Sequence, residues 1–483
     1  MDIKKLWKNS SLLGGNNRLY EKYSESAAKR VVDKFGSRKD PAESSVYGRF
    51  MAWLDAKLAR TNNLPFDKII CYAFPFYLLI EYVLRDVLGI ALLSSVWEEL
   101  FIAAALLTVF IKGRFARVNS VEVVVAIYML VCLILCLINR PYPSVAFAGY
   151  RAQVEYMVWF FLLIRMFRSK KDARLCLFLF LGFVLVLSFH GFYQFIIKVE
   201  IPSSWTSQTE SSVRTRVFSI TGSPNIFGDL LLMAAPIAAS LMYYLKKPWQ
   251  KLCALCATGV LCICMLFTFS KGAWLGLIVA IVIFSILVDG RLLLLMGTAM
   301  AAILALFPQV TSRITYLFTN DYAEASAVGG RTMRWQLGRS LLLENKWLGF
   351  GLGRYGGAVA MNNQILDKTE EFAYYYLDNY YLKTLVETGY IGLVFYLFVL
   401  AALIVFGLKA IYKAGSGFET DHTKDHLFAN IGNDKMLCAG IFSALCGVLT
   451  HCLFENIFEE PYMMAYFWGL AAILIYLGRK EET

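Results

Sequence analysis

The sequence predicts an all-α polytopic membrane protein, with about 12 transmembrane helices and one large loop on the far side of the membrane. Three observations predict it. Of the 483 residues, 58% are apolar and only 17% charged, against about 45–50% and 25% in a soluble domain. Apolar stretches of 17 or more residues recur from about residue 69 to the end. Each is long enough to cross ~30 Å of hydrocarbon at ~1.5 Å per residue. Finally, Lys and Arg gather on alternate connections. In lipid the backbone must satisfy its own hydrogen bonds, so such runs are helices or a closed barrel. Barrel strands alternate in polarity, and these runs do not.

Residues 1–67 read as a cytoplasmic N-terminal extension. They are charged and basic (Lys4, Lys5, Lys8, Lys29, Arg30, Lys34, Arg38, Lys39), and no apolar region falls within the first ~30 residues, where a secretory signal would put one. Such a flank suits the cytoplasmic side and can touch anionic lipid. Residues 68–483 form the transmembrane domain. Its spans fall near 69–86, 88–111, 121–138, 148–166, 174–197, 223–245, 252–269, 272–288, 292–307, 379–408, 436–454 and 461–477. The first two are interrupted by Glu81, Arg85, Asp86, Glu98 and Glu99, which belong at the outer ends of a helical hairpin.

With the extension inside, the short loops on its side (112–120, 165–174, 246–251, 289–291, 409–435 and 478–483) carry eighteen Lys or Arg. The short loops opposite (85–97, 139–147, 198–222, 269–272 and 455–461) carry six. This is the asymmetry that the positive-inside rule requires, and both termini then lie in the cytoplasm. The eleven cysteines lie in or beside apolar runs. The lone C-x-x-C at Cys253 and Cys256 has no histidine nearby, so buried small hydrophobes fit better than a metal site.

The loop at 308–377 lies outside, and it is too long to be a mere connector. From Gly330 to Glu344, Met333, Leu337 and Leu341 recur every four residues, while Arg331, Arg334 and Trp335 share another face of the same expected helix. A glycine-rich turn, KWLGFGLGRYGG, follows.

Outward-facing arginines run against the positive-inside trend. Arg214 and Arg216 precede the sixth span; Arg331, Arg334, Arg339 and Arg354 lie in the large loop. A guanidinium stays charged and grips phosphate oxygens bidentately. At an outer leaflet the phosphate is that of a lipid or a lipid pyrophosphate; solvated loop charge is the plainer alternative. Where the loop meets the tenth span the chain reads Tyr375-Tyr376-Leu377-Asp378-Asn379-Tyr380-Tyr381. Asp378 suits either a general base at the water boundary or, with Asn379, a helix N-cap. Lys383 and Glu387 lie on one helix face and should pair, since lone charges in a span are costly. His451 and Glu455, one turn apart, read as a packed pair.

The stretches RVFSITGSPNIFG, FSKGAWLGL, GGRTMRWQLGRSLLLENKWLGFGLGRY and DNYYLKTLVETGYIG, spread over roughly residues 120–475, resemble the O-antigen ligase/polymerase family of bacterial surface-glycan enzymes. That resemblance implies the architecture of the C-type glycosyltransferases. It implies a metal-independent, cofactor-free transfer of a glycan from a polyprenyl-pyrophosphate carrier, at the outer face of the bacterial cytoplasmic membrane. Arg216 and Arg331 match the arginines thought to hold the pyrophosphate. Asn379, Gly389 and Gly392 match the family's His-Asn, nine-residue gap and G-x-x-G, with Asp378 in the histidine's place. The catalytic group expected is therefore Asp378, Arg216 and Arg331. Substrate-binding residues expected are Arg214, Asn225, Arg334, Trp335, Arg354, Asn379 and Tyr380. Partners are the lipid-linked donor, a glycan or lipid acceptor and membrane lipid, with no nucleic acid. The aspartate favours a polymerase over a ligase that attaches the glycan to a lipid or protein. A transporter of lipid-linked glycan is the rival from another class, but it calls for repeated halves and helices interrupted at the midplane, and no repeat is visible. A structural or sensory component leaves the Arg216, Arg331 and Asp378 constellation without a purpose.

Overall fold

The structure, a computed structural model, describes residues 66–112, 118–202, 215–316, 318–320, 331–363, 377–416 and 434–479. Residues 1–65 of the expected N-terminal extension, with Arg214, Tyr375 and Tyr376, lie outside the described residues. Every described element is helical.

The expected first span is not one helix. It comprises α1 (Phe66–Ala73), a 3-10 turn at Phe74–Phe76 that contains Pro75, α2 (Tyr77–Tyr82) and a π-helical turn at Val83–Val87. Proline removes one ladder donor and clashes with the preceding turn, which is why the helix breaks there. Next come α3 (Ala91–Ile111) and α4 (Ser120–Ile138). A capping box starts α4: Asn119 accepts from Glu122 N at 3.0 Å, and Glu122 accepts from Asn119 N at 2.8 Å. The expected span at 148–166 is likewise divided, into α5 (Pro143–Val154), a 3-10 turn and α6 (Val158–Met166).

Four helices follow: α7 (Lys170–Ile197), α8 (Pro224–Tyr244), α9 (Pro248–Thr268) and α10 (Lys271–Leu287). Proline opens both α8 and α9 at the position where a missing N–H does no harm. Then α11 (Arg291–Leu306) meets α12 (Pro308–Tyr316) at a bend of 102°. In the large loop stand α13 (Arg331–Leu342) and the short α14 (Ala358–Asn363). The chain closes with α15 (Tyr380–Ser416), α16 (Lys435–His451) and α17 (Pro461–Leu477).

Among the described residues, six helices are long and apolar enough to cross a membrane: α3, α4, α7, α8, α9 and α15. The bent pair α11–α12 would make a seventh if it counts as one span. Three further apolar helices, α10, α16 and α17, have 17 residues each. The centre of the bundle is α8, packed against α16, α10 and α9, while α3 lies at the margin with apolar side chains facing outward. Small residues let the inner helices meet, as expected where lipid is as apolar as the side chains. A Cβ at Gly276 would lie 2.8 Å from Gly447 O, so the two backbones are nearly in contact.

The two ends of the bundle differ. At one end, the buried Arg174 at the start of α7 grips Asp434 before α16 with two bonds of 2.9 and 2.7 Å. Nearby, Lys112 lies 3.3 Å from the buried Asp67, which also accepts from Arg168. The opposite end gathers the C-terminal ends of α7, α9 and α16, the N-terminal ends of α8, α10, α15 and α17, and the large-loop helix α13.

One span is interrupted at that opposite end. Within α15, Gly389 has φ 65° and ψ −170°, a conformation essentially restricted to glycine. The glycine-rich turn after α13 docks into this break. Tyr390 N donates to Lys346 O at 2.9 Å and Ile391 N to Trp347 O at 3.3 Å; in return Phe350 N donates to Val386 O at 2.7 Å and Gly351 N to Glu387 O at 3.1 Å. The backbone groups freed by the break are thus paired by the loop, as non-helical backbone at membrane depth requires.

Candidate functional site

The loop turn is fixed from below by a buried charge cluster. Lys383 Nζ lies 2.9 Å from Glu387 and 3.6 Å from Glu459, and all three side chains are almost completely buried. The pairing of Lys383 with Glu387 expected from helix spacing is therefore present, with a third partner. The carboxylates reach further: Tyr355 N donates to Glu387 at 3.3 Å and Ala358 N to Glu459 at 2.7 Å. Asn456, fully buried, donates to Glu459 at 3.1 Å and to Gly356 O at 3.3 Å. The cluster clamps the segment that follows α13 onto α15 and the turn before α17.

On this platform α13 packs Leu341, Leu342, Leu337 and Trp335 against Phe350, Tyr355, Leu377 and Val386. Its first turn then projects two arginines at Asp378. Arg331 Nε donates to Asp378 Oδ2 at 3.3 Å, and Arg331 Nη2 donates to Phe454 O at 3.0 Å. Arg334 takes Asp378 in a fork, with Nη1 3.1 Å from Oδ1 and Nη2 3.1 Å from Oδ2. Asp378 is 16% exposed and Arg331 35%, so the trio sits at a wet edge. The N-cap duty falls on Asn379, whose Oδ1 accepts from Leu382 N at 2.9 Å. The two roles weighed for this pair are thus divided: Asn379 caps, and Asp378 meets guanidinium.

Arg216 reaches the same end of the bundle from another direction. Its segment is laced down by Gln194, whose Oε1 accepts from Phe218 N at 3.0 Å and Ser219 N at 2.7 Å. Val217 N donates to Phe267 O at 3.1 Å. Arg216 is 6% exposed; Nε donates to Thr268 O at 2.9 Å and Nη2 to Asn225 Oδ1 at 2.9 Å. Asn225, at the first turn of α8, passes the chain on: its Nδ2 donates to Glu455 Oε2 at 2.6 Å. Glu455 is the neighbour of Phe454, whose carbonyl binds Arg331. A continuous polar chain therefore runs Arg216–Asn225–Glu455 and, through the adjoining carbonyl, to Arg331, Asp378 and Arg334.

Glu455 was missed as a site residue by sequence reasoning, which paired it with His451. The histidine instead lies 2.8 Å from the fully buried Asp229, and the glutamate turns to Asn225. Burial pushes the Glu455 carboxyl above the usual carboxylate range, and the charge of Asp378 adds in the same direction; His451 and Arg331 pull it back. A hint was present in the sequence. ENIFEEP holds three acids and no cation, and the arginines expected outside call for counter-charge.

Other expected residues lie apart from this chain. Arg354 stacks its guanidinium 3.8 Å from the centre of the Phe350 ring and 5.7 Å from that of Tyr142, away from Asp378's partners. Tyr380 is 1% exposed, and its hydroxyl accepts from Gln153 Nε2 at 3.0 Å; it is part of the helical core and offers no face to a sugar. Trp335 packs its ring into the loop core, while its indole N–H meets no partner among the described residues.

Two comparisons bear on this arrangement. Residues 254–397 match the family model described as O-antigen ligase, so the resemblance read from the sequence holds over that segment. No curated protein matches the chain. The matched segment contains Thr268, Arg331, Arg334, Asp378 and Gly389, whereas Arg216, Asn225 and Glu455 lie outside it and join it through the contacts above.

Proposed function

We propose, with residues 254–397 taken as an O-antigen ligase segment, that this chain is a membrane glycan polymerase. It moves a glycan from a polyprenyl-pyrophosphate carrier to the hydroxyl of an acceptor sugar at the outer face of the bacterial cytoplasmic membrane. The termini are cytoplasmic and the chain crosses the bilayer about 12 times. The observation that carries the reading is the polar chain joining Arg216, Asn225, Arg331, Arg334 and the carboxylates Asp378 and Glu455 at one end of the bundle.

The chemistry follows from the charges. Negative charge grows on the pyrophosphate as its bond to the anomeric carbon breaks. Fixed guanidinium groups lower that barrier, each contributing on the order of 3 kcal/mol by analogy with a single oxyanion donor. Arg331 and Arg334 hold Asp378 in the absence of donor; phosphate oxygens offer them a second, more highly charged bidentate partner. The acceptor hydroxyl attacks from the face opposite the leaving group, so the anomeric configuration inverts. A carboxylate of the Asp378–Glu455 pair removes its proton; the sequence nominates Asp378.

The test is made on the purified chain in lipid vesicles with undecaprenyl-pyrophosphate oligosaccharide extracted from its host membranes. The polymerase reading expects a ladder of longer lipid-linked glycans. Transfer only to an unlike lipid or protein acceptor would make the chain a ligase. Movement of the intact donor between leaflets, with no new glycosidic bond, would make it a transporter.

A further inference from the structure

The two carboxylates of the site are not equivalent. Both oxygens of Asp378 already receive guanidinium N–H groups, Oδ1 from Arg334 and Oδ2 from Arg331 and Arg334. Glu455 has one partner, the Asn225 amide on Oε2; no hydrogen bond among the described residues reaches its Oε1. The direction of that contact is fixed. A guanidinium can only donate, so Asn225 must turn its oxygen to Arg216 and its NH2 to Glu455. Arg216 thereby orients an amide that pins one glutamate oxygen and leaves the other to a ligand.

We infer that Glu455, rather than Asp378, accepts the proton of the attacking hydroxyl, and that Asp378 is a positioning residue that sets Arg331 and Arg334 for the diphosphate. The inference deepens the glycosyl-transfer reading and rests on it. In the step, the acceptor oxygen bonds to the anomeric carbon. The bond from that carbon to the pyrophosphate oxygen breaks, and its electron pair leaves with the pyrophosphate. The hydroxyl proton passes to Glu455 Oε1 and then to water at the outer surface. No metal or redox partner is needed for the balance.

The groups that face Glu455 come from five elements: Asn225 from α8, Arg331 from α13, Asp378 from the segment before α15, His451 and the adjoining Cys452 at the end of α16, and Glu460 from the turn before α17. Burial and the neighbouring Asp378 make the Glu455 carboxylate more basic than an ordinary one, which suits proton removal from a hydroxyl. Asp378 occupies both of its oxygens with cations, the geometry of a residue that aims guanidinium groups.

The full-length chain, with the extracted undecaprenyl-pyrophosphate oligosaccharide as donor, tests the assignment through kcat and donor KM measured across pH. The unaltered chain should show one rising limb, above the ordinary carboxylate range. Glu455→Gln should lower kcat by about 10²–10⁴-fold, the usual worth of a general base, while donor KM stays within about threefold, and the limb should vanish. Glu455→Ala should regain part of its rate when formate is added, which a misfolded chain would not do. Asp378→Asn should raise donor KM and keep the limb. Glu455→Gln at near-normal kcat, a limb lost in Asp378→Asn but kept in Glu455→Gln, or no response to formate overturns the assignment. Failure of the unaltered chain to form any glycosidic bond overturns the transferase reading itself.

Discussion

Gly389→Ala is the most informative single substitution for the platform under the site. A methyl at residue 389 would lie 2.3 Å from Trp347 O and 2.5 Å from Gly349 N, both backbone atoms of the docked turn, so no side chain can swing aside. The protein has two responses. The turn can stay docked, at a cost of about 1–3 kcal/mol for alanine in a glycine-only conformation, with a comparable amount for the overlap. Alternatively the turn can leave, surrendering the four backbone hydrogen bonds into the break, each worth about 0.5–1.5 kcal/mol net. Either route destabilises by about 4 kcal/mol. The second also frees Lys346 and Arg354, two trypsin sites within the turn. Thermal unfolding of the detergent-solubilised chain, with limited trypsin digestion below the midpoint, separates the routes. Gly259→Ala is the control, because no atom lies within 4 Å of the added methyl in α9; it should be neutral or mildly stabilising. If Gly389→Ala changes neither the midpoint nor cleavage at Lys346 and Arg354, the docked-turn explanation of this glycine fails.

Other outcomes follow from the same contacts. Lys383→Met leaves Glu387 and Glu459 buried without their cation and should destabilise by about 3–5 kcal/mol; adding Glu387→Leu should recover part of the loss, as the double-mutant unfolding midpoint will show. Arg331→Ala should lower glycan transfer about a hundredfold or more with the unfolding midpoint little changed, because the side chain is partly exposed; an unaltered rate would remove Arg331 from the site. Arg174→Met, at the opposite end of the bundle, strands the buried Asp434 and should lower the midpoint, while the rate per folded molecule stays normal. A rate that falls with no loss of folded protein would contradict the separation of the two ends.

The parts of the fold that rest on local pattern were legible in the sequence, and those that rest on distant partners were not. Helix α13 showed in its four-residue spacing, and Lys383–Glu387 in its i, i+4 offset. Arg331 and Asp378 stood out because outward charge next to spans needs a cause. The division of the first and fourth expected spans was less visible, since apolar composition alone does not report a 3-10 or π-helical turn. Gly389 was recognisable by its spacing from Asn379, yet its purpose depends on Trp347, a carbonyl forty-two residues earlier. Glu455 was assigned to His451 because they are neighbours in sequence; the true partner of each, Asn225 for one and Asp229 for the other, lies more than 200 residues away. Tyr380 was expected to bind substrate, and its burial with Gln153 against its hydroxyl places it in the core.

The identity of the phosphorus-containing product tests the central claim most directly. If guanidinium groups stabilise a departing pyrophosphate while a sugar hydroxyl attacks the anomeric carbon, each glycosidic bond formed must release one undecaprenyl pyrophosphate. Phosphorus NMR of the reaction mixture should show that species rising in step with the new glycan. Release of undecaprenyl monophosphate, or donor consumption with no free carrier, would contradict the account.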